Sequence, residues 1–122
     1  MIEFCVHAAD VSTNTRAFDV AVDWTMLLFE EFFNQGDIEK DKGFPVSFLC
    51  DRETTNIGQG QPGFINFILA PLFAQVSAIM PEVKQLEVNA LENAERWKTY
   101  EETEEFRQVY VRKTKEQRLE NL

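Results

Sequence analysis

One amide side chain, Gln61, stands between two glycines and just ahead of an apolar run that begins at Phe64. A glutamine amide carries a donor and an acceptor side by side, so it can form two hydrogen bonds with the edge of a planar heterocycle. Phe64 follows three residues later and would share a helical face with Gln61, where its ring could cover such a heterocycle. A glutamine near a helix start is more often a solvated cap, so this pair alone leaves both interpretations open.

A second side chain that could take part in chemistry is Asp10, the last residue of the short block His-Ala-Ala-Asp at residues 7–10. A carboxylate is a hard oxygen ligand of the kind that holds divalent metals and helps to activate water. An aspartate at a helix end more often caps the following turn. His7, the one histidine of the chain, shares a helical face with Asp10. Its position is as consistent with a hydrogen-bonded structural role as with a functional one.

Three blocks, in this order, resemble the C-terminal part of the class I cyclic nucleotide phosphodiesterase catalytic domain. They are residues 7–10, residues 30–37 (Glu-Glu-Phe-Phe-Asn-Gln-Gly-Asp) and residues 60–67 (Gly-Gln-Pro-Gly-Phe-Ile-Asn-Phe). The resemblance covers most of residues 4–100. It implies an all-α fold, the C-terminal helical portion of the phosphodiesterase (HD-type) helical domain, ending in a long charged helix. It divides the chain into a partial catalytic domain, residues 1–100, and a charged helical extension, residues 101–122.

The resemblance also implies roles for single residues. Asp10 occupies the position of an aspartate that binds a divalent metal. Gln61 matches the purine-binding glutamine of the family, and Phe64 matches the aromatic residue that clamps the base of a cyclic nucleotide, cAMP or cGMP. The orientation of the Gln61 amide would decide between adenine and guanine. The resemblance also implies a wall of the nucleotide pocket that consists of Thr25, Leu28, Phe29, Phe32 and Leu49. For each of these residues taken singly, ordinary packing in the core is the simpler interpretation.

The chain departs from the family most clearly in its metal ligands. The family's metal pair, zinc with magnesium or manganese, takes several histidines and a second aspartate from upstream, where its histidine general acid also lies. One carboxylate cannot hold two ions, because such sites use about three or more protein ligands per ion. We therefore assign no catalytic residue here and expect the chain alone to be inactive. Two smaller departures are Thr13, in place of a pocket asparagine, and Pro62, which is expected to push Gln61 toward extended backbone.

Two other functions remain open from the sequence. The first is a catalytically incomplete phosphodiesterase-like remnant that serves as a structural or interaction module in a larger assembly. Its uncovered apolar helix faces would then be covered by a protein partner or by a missing N-terminal half of the domain. The second is a cyclic nucleotide sensor without catalysis, which needs only Gln61, Phe64 and the pocket wall. In that case the phosphate would lack a basic or metal partner within this chain.

Charge and composition indicate which binding partners and which cellular location to expect. The net charge of -9 argues against binding to nucleic acid or to an anionic membrane surface. No apolar run reaches the ~20 residues that span a bilayer, and the N-terminus lacks the basic residues of a secretory signal. We expect a cytoplasmic or cytosol-contiguous location, such as a cytoskeletal assembly. Cys5 and Cys50 are then expected to be free, buried thiols.

Hydrophobic periodicity predicts a chain of helices without strands. Gly36 is expected to end an amphipathic helix as a left-handed cap, and Pro71 to kink or restart a later helix. Pro81 is expected to occupy the first position of the last helix. The predicted elements are a helix end over 1–9, a helix over 16–35, an ordered loop with short helical turns over Gly43–Gly63, a buried helix over Phe64–Ile79, and a helix from Glu82 that continues to Arg118.

Overall fold

The computed structural model describes residues 1–100, and these residues form helices joined by turns and loops, with no strand among them. The prediction of an all-α fold is therefore confirmed for the described part of the chain. The helices are α1 (Ile2–Asp10), a 3-10 turn (Ser12–Thr15), α2 (Phe18–Asp41), α3 (Ile57–Phe64), a π-helical segment (Ile65–Leu69), α4 (Ala70–Ile79), a 3-10 turn (Pro81–Val83) and α5 (Lys84–Lys98).

The last helix ends earlier than the sequence predicted. α5 stops at Lys98, and the N–H groups of Thr99 and Tyr100 donate to carbonyls of the preceding turn. The predicted continuation to Arg118 is therefore wrong at Thr99, and the charged extension of residues 101–122 lies outside the described residues. Pro81 takes the first position of the 3-10 turn, and α5 begins only at Lys84, so the predicted start of the last helix at this proline is wrong by three residues.

The described residues fall into two compact units. The first unit comprises Met1–Thr25 and Ile57–Tyr100, and the described part of the second comprises Met26–Asn56. In the first unit α3, the π-helical segment and α4 pack against α5, while α1 packs against α4. The large side chains that this packing buries completely each contribute roughly 1.5–3 kcal/mol of transfer free energy, and they include Ile57, Ile65, Leu69 and Trp97.

Helical structure in the first unit begins well before the residue that the sequence predicted. The predicted loop over Gly43–Gly63 is wrong in its last part, because α3 starts at Ile57. Pro62 lies inside α3, so the expectation that it places Gln61 in extended backbone is also wrong. The contacts of α3 with α5 supply tertiary packing that overrides the local preference of proline. Pro71 lies in the first turn of α4, where a missing N–H costs little.

The apolar stretch Phe64–Ile79 is buried on one side only, whereas the sequence predicted burial all round. Ile65, Leu69 and Phe73 are buried, but Phe67 is 84% exposed and Ile68 is 54% exposed. An apolar composition on every face does not bury a helix unless each face also has a neighbour, and within the described residues the face with Phe67 and Ile68 has none that covers it.

By length and composition alone, one helical stretch of the described residues, Ile57–Ile79, is long and apolar enough to cross a membrane. It has 23 residues and a mean hydropathy of 1.5, and 28% of that window is buried. By this test the expectation that no apolar run reaches the length of a membrane span is wrong. A single stretch of this kind is weak evidence for a span, since core helices pass the same test.

The predicted cap at Gly36 is wrong, because α2 continues to Asp41 and Gly36 is buried within it. A Cβ placed on Gly36 would lie 1.9 Å from the carbonyl oxygen of Cys50, so the glycine is required by the close approach of the loop. The helix ends instead at Gly43, which has φ +72°. The N–H of Gly43 donates to Lys40, and the N–H of Phe44 donates to Glu39, which is the Schellman pattern.

The loop of the second unit is held by charged side chains. The guanidinium of Arg52, 9% exposed, donates to Asp37 at 2.6 Å and lies 5.4 Å from the ring of Phe33. Nearer the end of α2, Lys40 donates to Asp51 at 2.8 Å, and this hydrogen bond lowers the pKa of the Asp51 carboxyl. Cys50 is buried, which raises the pKa of its thiol, whereas Cys5 is half-buried, and neither forms a disulfide.

Replacing Gly36 with alanine should destabilise the protein by more than about 2 kcal/mol, because either the helix or the Cys50 loop must move. The matched control is Gly60→Ala. A Cβ on Gly60 meets nothing within 4 Å, and a helical alanine is favoured over glycine by roughly 0.5–1 kcal/mol. Urea unfolding of the two variants measures the difference. Equal stabilities would contradict the close approach of the Cys50 carbonyl.

The ion pair of Lys40 with Asp51 should make stability depend on pH. Because the folded pKa of Asp51 is lowered, its contribution is present above the unfolded pKa of about 4 and is lost as the pH falls through the folded pKa. Asp51→Asn should therefore flatten the decline of the urea midpoint between about pH 5 and pH 3. Asp41→Asn removes an exposed carboxylate that pairs with no described residue, and it should keep the wild-type slope.

Candidate functional site

Gln61 lies on α3 with 7% of its surface exposed and is part of a buried hydrogen-bonded chain. Asn14 Nδ2 donates to Gln61 Oε1 at 3.1 Å. Trp97 Nε1 in turn donates to Asn14 Oδ1 at 2.8 Å. All three side chains are more than nine-tenths buried, so each hydrogen bond replaces one that water can no longer make.

This chain of hydrogen bonds fixes which way the Gln61 amide points. The indole N–H of Trp97 can only donate, so the oxygen of Asn14 must face it. The Asn14 nitrogen then faces Gln61, and Gln61 must turn its own oxygen toward Asn14. Gln61 Nε2 is left as a donor with no acceptor among the described residues. A buried donor in this state is the group that a hydrogen-bonding ligand would satisfy.

The 3-10 turn that carries Asn14 is tied to α5 by two further amides. Asn93 Nδ2 donates to the carbonyls of Asn14 at 2.9 Å and Arg16 at 2.8 Å, and Asn89 Nδ2 donates to Thr15 at 3.0 Å. Because these amides and Trp97 recur every four residues, they lie on one face of α5. These hydrogen bonds fix the turn on α5, and because α5 also packs against α3, they fix the position of the turn relative to α3.

Sequence reasoning missed these supporting residues. Asn14, Asn89, Asn93 and Trp97 all lie outside the three blocks on which the resemblance rests. Two asparagines followed by a tryptophan at four-residue spacing form a polar row on an otherwise apolar helix face, which is the signal that could have revealed them. The partner of that row is far away in the sequence, so the specific hydrogen bonds were not predictable.

Phe64 ends α3, one helical turn after Gln61, and is 37% exposed. Thr25 is buried at 2% exposure and belongs to the same unit. Leu28 and Leu49 belong to the second unit, where Leu28 is 44% exposed and Leu49 is half-buried with φ +67°. A positive φ in a leucine costs free energy, which the loop around it must supply. The structure thus groups Gln61, Phe64 and Thr25 in one unit and the two leucines in the other.

Asp10 lies at the end of α1 and is exposed. It lines a cleft of about 390 Å³ together with Ala9, Ser12, Thr13, Arg16, Val20 and Trp24. Among residues 1–100 there is no cluster of three or more histidine, cysteine, aspartate or glutamate side chains that could hold a metal ion. The described residues therefore do not fit the metal pair by themselves, and Asp10 contributes at most one ligand.

Comparison with known proteins places these residues in a family. The sequence model of the 3'5'-cyclic nucleotide phosphodiesterases matches residues 1–91. The chain is 43% identical over 82 residues to the mouse dual specificity calcium/calmodulin-dependent 3',5'-cyclic nucleotide phosphodiesterase 1C. It is 45% identical over 78 residues to the bovine 1B enzyme of the same description. A solved structure, LmjPDEB1 in complex with IBMX, is similar with a TM-score of 0.70 and 34% identity.

These matches cover most of this chain but little of its relatives. The alignment to the mouse enzyme takes in 67% of this chain and 12% of that protein, and the bovine alignment takes in 64% and 15%. The structural match covers 79% of this chain and 29% of the other. The chain therefore spans less than one-sixth of the length of these two curated relatives and less than one-third of the matched solved chain.

Replacing Asn14 with aspartate tests the hydrogen-bonded chain. The ionised carboxylate introduced at this position has no donor, so Gln61 should turn its amide and donate from Nε2 to it. The Gln61 amide protons, which have no described partner in the wild type, should then exchange with solvent at least roughly tenfold more slowly. Asn66→Asp makes the same charge change at an exposed position and should leave the exchange unaltered. The side-chain NMR signals of Gln61 report it, and unchanged exchange in Asn14→Asp would contradict the assigned orientation.

Proposed function

This chain belongs to the 3',5'-cyclic nucleotide phosphodiesterase family, and we propose that it is the part of such an enzyme that binds the purine and supplies one metal-binding carboxylate. The observation that carries the proposal is the buried Gln61 amide, whose Nε2 is oriented by Trp97 through Asn14 and lacks an acceptor among the described residues.

In the proposed role, Gln61 faces the edge of a purine and Phe64 covers its ring. Gln61 Nε2 donates one hydrogen bond, while Oε1 has a second lone pair beyond the one used by Asn14 and can accept another. The ring of Phe64 is more than one-third exposed, so a base can lie against it without displacing the core. Thr25, which is buried in the same unit as Gln61 and Phe64, is proposed as part of the pocket wall.

The proposed reaction is hydrolysis of the 3',5'-cyclic phosphodiester of cAMP or cGMP. Water adds at phosphorus, the bond from phosphorus to the 3' oxygen breaks, that oxygen takes up a proton, and the product is the 5'-nucleotide. Divalent ions, zinc with magnesium or manganese, supply the activated water and neutralise the phosphate in this type of chemistry. Asp10 would give them one carboxylate, and their remaining ligands and the general acid would come from residues outside this chain. The chain alone is therefore proposed to be inactive.

A specific observation also favours a partner. Phe64, Phe67 and Ile68 are uncovered on one side of the π-helical segment and its neighbours, although solvent exposure of adjacent large apolar side chains is unfavourable. We infer that the residues that complete the catalytic domain, whether on the same or another chain, cover this face. A structural module in a larger assembly is the second candidate function, and the same face would be its contact. In either case the net charge of -9 favours neither nucleic acid nor an anionic membrane surface, and a cytosol-contiguous location remains our proposal.

A chimera tests the proposed function. In the mouse 1C relative, the 82-residue segment that matches this chain is exchanged for the corresponding residues of the chain. We expect metal-dependent hydrolysis of cyclic nucleotide by the chimera and none by the 122-residue chain alone. In the chimera, Asp10→Ala should lower kcat by at least roughly a hundredfold. Gln61→Ala should raise KM by roughly tenfold or more because bound base loses its hydrogen-bonding partner.

Asp19→Ala, an exposed carboxylate on α2, is the matched control for Asp10→Ala and should leave the turnover of the chimera nearly unchanged. A folded chimera without activity would contradict the enzymatic role and favour the structural module. Turnover by the isolated chain that disappears in Asp10→Ala would instead show that the chain completes a metal site by itself, for example between two copies.

A further inference from the structure

Arg16 is a cation without a counterion among the described residues of a chain of strong negative charge. Lys40, Arg52, Lys84 and Lys98 each pair with a carboxylate at 2.8 Å or less. Arg16 forms no ion pair with any described residue, although its backbone is fixed by the hydrogen bond from Asn93 to its carbonyl. With a net charge of -9, acidic side chains are abundant, so an arginine that pairs with none of the described ones is open to an external anion.

The surroundings of Arg16 point to the kind of anion. Arg16 lines the cleft of about 390 Å³ that also contains Asp10, the candidate metal ligand, and Trp24, whose side chain is 58% exposed. A volume of this size accommodates a small ligand of several hundred daltons. Asp10 and Arg16 line the same cleft and form no ion pair with each other, so the guanidinium is available to a negatively charged ligand in this cleft.

We propose that Arg16 binds the phosphoryl group of the nucleotide, in the cleft that it shares with Asp10. This inference rests on the proposed function, because it assumes that a nucleotide is the ligand. A planar guanidinium offers two parallel N–H groups to a phosphate, which makes arginine better suited to this contact than lysine. The contact also supplies what the sequence analysis found missing, namely a basic partner for the phosphate within this chain.

The arrangement has an electrostatic consequence. The overall charge of the chain repels a nucleotide, so a local uncompensated cation has a larger effect on affinity here than it would in a neutral protein. The contribution of Arg16 should therefore appear as a difference between phosphorylated and unphosphorylated ligands, and it should fall as salt is added.

The test titrates the 122-residue chain with cAMP, with adenosine, which has the base and sugar but no phosphate, and with inorganic phosphate. The Nε–H signal of Arg16 should shift with cAMP and with phosphate but not with adenosine. Arg16→Gln should weaken cAMP binding roughly tenfold at low ionic strength and leave adenosine binding unchanged. The cAMP affinity of Arg16→Lys should lie between that of the wild type and that of Arg16→Gln. Lys42→Gln removes an exposed positive charge elsewhere and is the matched control.

The outcomes separate this inference from the proposed function. If Arg16→Gln and Lys42→Gln weaken cAMP equally, or if cAMP binding depends on Gln61 but not on Arg16, the assignment of Arg16 is wrong while purine binding stands. If phosphate shifts Arg16 but neither cAMP nor adenosine binds and Gln61→Ala changes nothing, purine binding fails, and with it the assignment of Arg16 to a nucleotide. Loss of cAMP binding in Arg16→Gln with adenosine retained supports both.

Discussion

The hydrogen bond from Trp97 to Asn14 is the interaction on which the rest of the first unit depends. It joins the end of the last helix to the turn after the first one, two segments 83 residues apart in the sequence. Since the indole N–H can only donate, the bond also imposes a direction on each amide that follows it. Burial makes that direction costly to reverse, because a turned Asn14 would bring two donors face to face. One hydrogen bond thus fixes both the position of the turn against the helix and the orientation of the Asn14 and Gln61 amides.

Much of the fold was predictable from local pattern. The all-α class followed from helical periodicity, and α5 followed from the helical spacing of apolar residues after Glu82. The errors occurred where a distant neighbour decided the outcome. Gly36 looked like a cap, but its missing side chain makes room for the carbonyl of Cys50, and Gly43 ends the helix instead. Pro62 looked like a helix breaker, but α3 packs on α5 and stays helical through it. Neither tertiary contact leaves a trace in the local sequence.

The candidate site was predictable in part for the same reason. Gln61, Phe64 and Asp10 stand in short blocks whose residue types suggest their chemistry, so they were recognisable without a structure. The hydrogen bonds of Asn14 and Asn93 join residues far apart along the chain, and such contacts are not visible in a motif. Among residues 1–100 Asp10 belongs to no cluster of three or more potential metal ligands, so its role as a metal ligand stays a prediction.

The π-helical segment at Ile65–Leu69 sets the rotational phase between the two ends of the long apolar stretch. A π turn accommodates one residue more than an α turn, so it rotates everything before it by about 100° relative to everything after it. Gln61 stands on one side of this phase shift, and the buried anchors Phe73 and Val76 stand on the other. A chain one residue shorter in this segment could keep every side chain of α3 and still aim them in another direction. In comparing relatives, the spacing across this segment is therefore as informative as the residues that flank it.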